Sequence, residues 1–134
     1  MKTHLLGIAF FYFISVGVNA QNTQNMFLNL YLYYDGSISI AQDPDYSYLG
    51  KITNEYDSDS IFNDYGTYGN KFSSKSIWNK FSTFGNKFSS YSPFNEYSYN
   101  PPMIIKDRTI IGYLSVNGSL EGAISPYLLK VIFE

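Results

Sequence analysis

A sixteen-residue motif occurs three times in the middle of this chain and constrains its fold more than any other feature. The copies cover residues 56–71, 72–87 and 88–98, and the last copy is shorter. Aromatic residues, serines and asparagines recur at fixed positions, whereas charge varies. Such a pattern repeats packing and hydrogen-bonding positions rather than the parts of a reaction centre. The recurring residues include Ser60, Ser76 and Ser92; Asn63, Asn79 and Asn95; Phe62, Trp78 and Phe94; and Tyr65, Phe81 and Tyr97.

The first twenty residues have the pattern of a secretory signal peptide. Lys2 precedes an apolar run over residues 5–18, and Val18 and Ala20 supply the small side chains that a signal peptidase requires. The alternative, a membrane anchor, needs about 20 apolar residues, which is more than this run provides. We therefore predict cleavage after Ala20, export to the periplasm or the medium, and one small domain over residues 21–134.

The composition excludes several kinds of chemistry. The chain has no cysteine, and its one histidine, His4, lies in the predicted signal peptide. A chain that starts at Gln21 therefore lacks Ser-His-Asp and Cys-His nucleophiles, histidine acid–base catalysis and ordinary zinc ligands. The net charge of −2 is not the basic footprint of a nucleic-acid-binding protein. We expect no cofactor, no metal, and stability from aromatic and apolar packing instead of disulfides.

Carboxylates are the remaining groups that could catalyse a reaction. Asp57, Asp59 and Glu96 could supply the acid and base of a glycan hydrolase. The residues equivalent to Asp57 in the other copies are serines, however, and both residue types are good turn and cap residues. The pattern therefore favours a structural role for these carboxylates over a catalytic one.

Outside the repeats the sequence predicts β-strands. Leucines at alternate positions in residues 26–34 give the period of a half-buried strand, and Asp35-Gly36 then indicates a tight turn. The predicted fold is mainly β with short helical turns, and its small antiparallel sheet consists of an N-terminal and a C-terminal hairpin. The predicted strands are residues 26–34, 37–41, 48–53, 103–105, 109–116 and 128–133.

Within each copy of the repeat, two backbone structures are open. Ser73 or Ser74 could cap a short helical turn that continues to Asn79, with Gly85-Asn86 able to end it. The alternative is a short β-solenoid with stacked asparagine and aromatic ladders. Three coils would leave long unprotected ends, so the helical turns are the preferred prediction.

The repeats together with their flanks resemble a group of small exported bacterial proteins. The shared pattern is aromatic-x-Ser-x-Ser-Ile/Pro-aromatic-Asn in tandem, entered through Leu49-Gly50 and left through Gly112-Tyr113-Leu114. The resemblance covers residues 48–117, and it implies export without implying a reaction. Members of the group can carry cysteines near the Leu-Gly entry, where this chain has Lys51 and Thr53, so the resemblance supports no metal or disulfide here.

These observations favour a non-enzymatic, exported binding or structural module of the cell envelope. Its ligand could be a cell-wall glycan, because aromatic rings stack on sugars while asparagine and serine bond hydroxyl groups. The candidate ligand-binding residues are Trp78, Tyr65, Tyr68 and Phe81, although the recurring aromatics are more readily explained as core. The alternatives are the carboxylate hydrolase and a structural, self-assembling role driven by the aromatic repeats and by exposed strand edges. No nucleic acid and no membrane-spanning segment after cleavage are expected.

Overall fold

The computed structural model describes residues 20–134. The predicted signal peptide therefore lies outside the described residues, apart from Ala20. Within the described part of the chain, no helix is both long and apolar enough to span a membrane. The elements in chain order are α1 (Ala20–Tyr34), β1 (Ser37–Ile40), β2 (Tyr48–Ile52), β3 (Met103–Lys106), β4 (Thr109–Leu114), β5 (Ala123–Ile124) and α2 (Pro126–Phe133).

The five strands form one open, mixed sheet in the order β2-β1-β3-β4-β5. β1 pairs antiparallel with β2 and β3, and β3 pairs antiparallel with β4. The turn between β3 and β4 has two residues with positive φ, Asp107 and Arg108, as a two-residue hairpin requires. The predicted C-terminal hairpin is thus confirmed. The sheet is mixed rather than antiparallel because the two-residue strand β5, which the sequence did not predict, runs parallel to β4.

The predicted strand at residues 26–34 is wrong, because this segment belongs to helix α1. The buried side of α1 carries Thr23, Phe27, Tyr31 and Tyr34, a spacing of three to four residues that follows the helical period. The alternating leucines do not form a buried face, since Leu28 and Leu32 remain exposed. The turn predicted at Asp35-Gly36 is instead the end of this helix, so the N-terminal hairpin consists of β1 and β2.

The predicted strand at residues 128–133 is also wrong, because these residues lie in helix α2. Ser125 is its N-cap, with its side chain accepting a hydrogen bond from the Tyr127 amide, and Pro126 occupies the first turn. Serine followed by proline is a strong helix start, and it outweighs the β-branched residues that follow. The helix buries Leu129 and Phe133 against the rest of the molecule.

Residues 54–100, the turn segment, contain neither the predicted helical turns nor the β-strands that a β-solenoid requires. The segment is a succession of three-residue turns, such as that from Ser76 to Asn79, whose amide donates to the Ser76 carbonyl at 3.2 Å. The turns that contain Gly69 and Gly85 are one residue longer than the others. Four turns of three residues and one turn of four residues therefore span sixteen residues. A β-carbon on Gly85 would overlap the Asn79 carbonyl oxygen, so no other residue fits there.

Both ends of the turn segment are bonded to the sheet or to the loop that follows it. Its first turns lie along the outer edge of β2, where the Lys51 amide donates to Asp59 and the Lys51 carbonyl accepts from Ile61. At the other end, the Val116 amide donates to the Pro93 carbonyl at 2.8 Å. The edge of β2 is therefore covered, so it is not one of the exposed strand edges that the self-assembly hypothesis requires.

Candidate binding surface

The aromatic residues of the turn segment form rows in which equivalent positions are sixteen residues apart. One row, the inner row, packs on α2 and comprises Phe62, Trp78 and Phe94. Two further rows point to solvent. The first outer row is Tyr65, Phe81 and Tyr97, which are 96%, 92% and 80% exposed; the second outer row is Tyr56, Phe72 and Phe88, which are 86%, 77% and 81% exposed.

The residue that begins each turn distinguishes the outer rows from the inner row. In both outer rows every ring follows an asparagine by two residues, and its amide donates to that asparagine's Oδ1. Every inner ring instead follows a buried serine, whose Oγ accepts the equivalent bond. The predicted structural residues Ser60, Ser76 and Ser92 are the serines of the inner row, and Asn63, Asn79 and Asn95 precede the first outer row.

The asparagines of the first outer row make a second bond that fixes their turns. Their Nδ2 groups donate to the carbonyl oxygens six residues earlier, at 3.2 Å for Asn63, 2.9 Å for Asn79 and 3.1 Å for Asn95. Each of these side chains thus ties two successive turns together while it holds the amide of its ring residue. The first outer row is therefore presented on a backbone that is ordered before any ligand arrives.

The inner row is a contact between turns and the C-terminal helix. The Trp78 ring centroid lies 6.4 Å from that of Phe62 and 5.5 Å from that of Phe94. Its Nε1 donates to the Ile61 carbonyl at 2.6 Å, and the Lys130 ammonium lies 4.9 Å from its ring centroid. Trp78 is only half-buried, so it is neither a fully enclosed core residue nor an open stacking platform.

A groove of about 540 Å³ lies beside Trp78 and is lined by one ring of each outer row. Tyr65 and Phe72 contribute its aromatic walls, and Asp64, Lys71 and Lys130 contribute its charges. Among the four predicted ligand-binding residues, the groove brings together Trp78 and Tyr65. Phe81 is exposed at the equivalent position of the next copy of the repeat. Tyr68 packs edge-on against Tyr48 of β2, with ring centroids 5.0 Å apart.

A charged residue immediately precedes every exposed ring of the outer rows. In the first outer row these are Asp64, Lys80 and Glu96, and in the second they are Glu55, Lys71 and Lys87. Lys71 and Lys87 lie over the faces of their own neighbours, Phe72 and Phe88, at 5.4 and 5.2 Å. Among the described residues, no such cation lies over a ring of the first outer row.

The candidate catalytic carboxylates have structural partners. Asp57 accepts a hydrogen bond from the Asp59 amide at 2.8 Å and pairs with the Lys51 ammonium at 3.2 Å. These interactions, the amide first, hold the pKa of Asp57 below its ordinary value, which is the opposite of what a general acid requires. Glu96 accepts a hydrogen bond from Tyr97 and thereby raises the pKa of that phenol. Within residues 20–134, no cluster of three potential metal ligands occurs.

No family model, curated protein or solved structure matches this chain. Neither the exposure of the second outer row nor the contribution of α2, whose Tyr127 and Lys130 contact Trp78, was predicted from the sequence. The distinction between Asn-x-aromatic and Ser-x-aromatic triplets was visible in the sequence, and it would have separated exposed rings from packed ones.

Proposed function

We propose that this protein is an exported, non-enzymatic module of the cell envelope that binds carbohydrate through the first outer row. The observation that carries this proposal is the exposure of Tyr65, Phe81 and Tyr97 on turns that Asn63, Asn79 and Asn95 hold in place. Large exposed aromatic surfaces are costly for a protein to keep in water and commonly mark binding sites. Regular presentation of such rings is not needed for packing.

Carbohydrate is the ligand class that this surface suits best. A pyranose offers an apolar C–H face that stacks on an aromatic ring, together with hydroxyl groups at its edge. Beside the rings, Asp64, Lys80 and Glu96 provide exposed acceptors and donors for those hydroxyl groups. Because the turns are already ordered, binding does not require the backbone to lose further conformational freedom.

Export is the part of the proposal that rests on residues 1–20. It agrees with a chain that has no cysteine and, after residue 20, no histidine, with the resemblance to small exported repeat proteins, and with stability based on aromatic packing. The test is N-terminal sequencing of the envelope fraction, in which we expect Gln21 as the first residue. A chain that retains Met1 in that fraction would contradict cleavage.

The binding proposal is tested by pulldown of the purified protein with insoluble cell-wall glycan and with chitin. We expect retention of the wild type and loss of retention for Phe81→Ala. The matched control is Phe88→Ala, which removes a similarly exposed ring from the second outer row. Equal retention of both variants and the wild type, or no retention of any of them, would contradict the proposal.

A further inference from the structure

We infer that the groove beside Trp78 binds a sugar that carries both an ammonium group and an acid group. This inference rests on the proposed function and adds a defined binding site at one ring of the first outer row, Tyr65. It follows from the aromatic and charged side chains that line this one groove. Phe81 and Tyr97, the other rings of that row, do not line it.

The groove has the size and the aromatic lining of a small-molecule site. Its volume of about 540 Å³ lies within the range of about 300–1,000 Å³ that such sites occupy. Tyr65 and Phe72 line it and are 96% and 77% exposed. The ammonium group of Lys71 lies over Phe72, and that of Lys130 lies over Trp78. Among the rings that line the groove, Tyr65 is the one without a cation over it, so we expect the sugar to stack on Tyr65.

The charge of Lys130 is balanced within the protein. Its ammonium group lies 4.9 Å from the Trp78 ring centroid and pairs with the Glu134 carboxylate at 3.0 Å. Glu134 is only 7% exposed, so loss of this ammonium group would leave a buried carboxylate unpaired. Lys130 is therefore engaged by the protein itself and is not a free charge for a ligand.

Asp64 and Lys71 are the charges of the groove that the protein leaves unpaired. In the described part of the chain neither side chain forms an ion pair, although both line the same groove and have opposite charges. Asp64 directly precedes Tyr65 and Lys71 directly precedes Phe72, so each of these two aromatic residues has one charged neighbour. The groove thus presents a separate negative and positive charge beside the ring on which a sugar would stack.

A ligand with both charges matches this arrangement better than a ligand with one. A sugar acid would be attracted by Lys71 and repelled by Asp64, and an amino sugar would experience the reverse. A sugar with both groups places its acid near Lys71 and its ammonium group near Asp64. A neutral sugar bonds these side chains through hydroxyl groups only and gains no charge attraction. The complementary class is therefore a zwitterionic sugar.

The first experiment titrates the protein with sugars at low salt and follows the emission of Trp78, the only tryptophan of the chain. The probes are muramic acid, which has an amine and a carboxylate, glucosamine, glucuronic acid and neutral N-acetylglucosamine. At about pH 6, where amines and carboxylates are ionised, we expect muramic acid to bind about twofold to fivefold more tightly than the others. This preference should decrease as the salt concentration rises.

The second experiment changes the exposed side chains of the groove one at a time. Asp64→Asn should bind glucuronic acid at least as tightly as muramic acid, and Lys71→Gln should bind glucosamine at least as tightly. Tyr65→Ala should weaken binding of every sugar by about tenfold, as removal of a central contact residue commonly does. The matched controls change side chains of the same kinds that do not line the groove, and they should leave all affinities unchanged. They are Glu55→Gln, Lys87→Gln and Tyr56→Ala.

The outcomes separate this inference from the proposed function, which the glycan pulldown with Phe81→Ala tests. Equal affinity for the four sugars, or no change of Trp78 emission with any of them, overturns the inference. Carbohydrate binding still stands in that case if the pulldown depends on Phe81. Failure of both the titration and the pulldown overturns both.

Two further measurements test other occupants of the groove. Alanine carries both charges without a sugar ring, so binding of alanine as tight as that of muramic acid would overturn the assignment to a sugar. A second copy of this chain is the alternative occupant. Trp78 emission that changes with protein concentration in the absence of sugar, and no longer does so in Lys71→Gln, would assign the groove to self-association and overturn the inference.

Discussion

At the scale of single residues, the asparagines of the turn segment link sequence to structure most directly. Asn79 is buried, donates to the Ser73 carbonyl at 2.9 Å and accepts from the Phe81 amide at 3.0 Å. We predict that Asn79→Ala lowers the free energy of unfolding by about 1–3 kcal/mol, because it leaves two partly buried backbone groups without partners. Asn86→Ala is the control. Asn86 accepts a hydrogen bond from the Phe88 amide, and its substitution should lower the free energy of unfolding by less. Equal melting temperatures for Asn79→Ala and the wild type would refute this assignment.

Trp78 occupies a position where the other two copies of the repeat carry phenylalanine. Because its side chain is half-buried, Trp78→Ala should lower the free energy of unfolding by less than truncation of a fully buried tryptophan does, which is about 3–5 kcal/mol. Trp78→Phe keeps the ring contacts and removes the Nε1 bond to Ile61, so its cost should be about 1 kcal/mol. Denaturant titrations of both variants provide the measurement. A larger loss for Trp78→Phe than for Trp78→Ala would show that the ring contacts are unimportant.

At the scale of elements, the closure of each sixteen-residue unit depends on a glycine. Gly85 passes so close to the Asn79 carbonyl that a β-carbon would overlap it. We predict that Gly85→Ala costs about 3 kcal/mol or more, since the clash is with backbone rather than with a flexible side chain. Gly118→Ala is the matched control, because a β-carbon added there would have no neighbour within 4 Å. Comparable thermal stability of the two variants would argue against the clash.

The attachment of the first turns to β2 should depend on pH. The folded state lowers the pKa of Asp57, so its ionised form stabilises the fold above its ordinary pKa, about 4. This contribution disappears as the pH falls through the lower, folded-state pKa. Asp57→Asn should therefore be less stable than the wild type near pH 7 and equally stable in strong acid. Melting temperatures from pH 2 to pH 7 test this, with the exposed Asp64→Asn as control.

The elements also show how much of the fold the sequence could predict. Strands β1 to β4 were predicted because turn residues bound short runs of apolar residues. Helix α1 was not, because Leu28, Leu30 and Leu32 alternate like a strand, and only packing shows that Phe27 and Tyr31 are the residues facing the core. The turn segment was misread for a related reason: its aromatic residues recur every three residues, which suits a helix and a chain of three-residue turns equally well.

The candidate surface was predicted only in part, and the reason is again physical. Tyr65 and Phe81 were named as ligand candidates, but the recurring aromatics were expected to be mainly core. Whether a ring is buried depends on which side of each turn meets α2, and that helix was itself mistaken for a strand. The charged residues next to the rings can be read from the sequence. Only the structure shows that Asp64, Lys80 and Glu96 accompany rings of one exposed row.

At the scale of the whole molecule, α2 connects the turn segment to α1. Phe133 stacks on Phe62 of the inner row and on Tyr31 of α1, with ring centroids 5.7 and 4.9 Å apart. Both ends of the turn segment are also bonded to the sheet region. Residues 21–134 should therefore unfold as one cooperative unit, in which the turn segment does not survive loss of the helix.

Leu129→Ala tests this cooperativity. Leu129 is fully buried in α2, so its truncation should cost about 2–5 kcal/mol. Far-UV circular dichroism reports on the helices, and Trp78 fluorescence reports on the turn segment. We predict that both transitions shift together to lower denaturant, whereas Leu128→Ala on the exposed side of α2 shifts both only slightly. If Leu129→Ala moves the dichroism transition while the fluorescence transition stays in place, the turn segment holds its structure independently, and α2 is only an attachment to it.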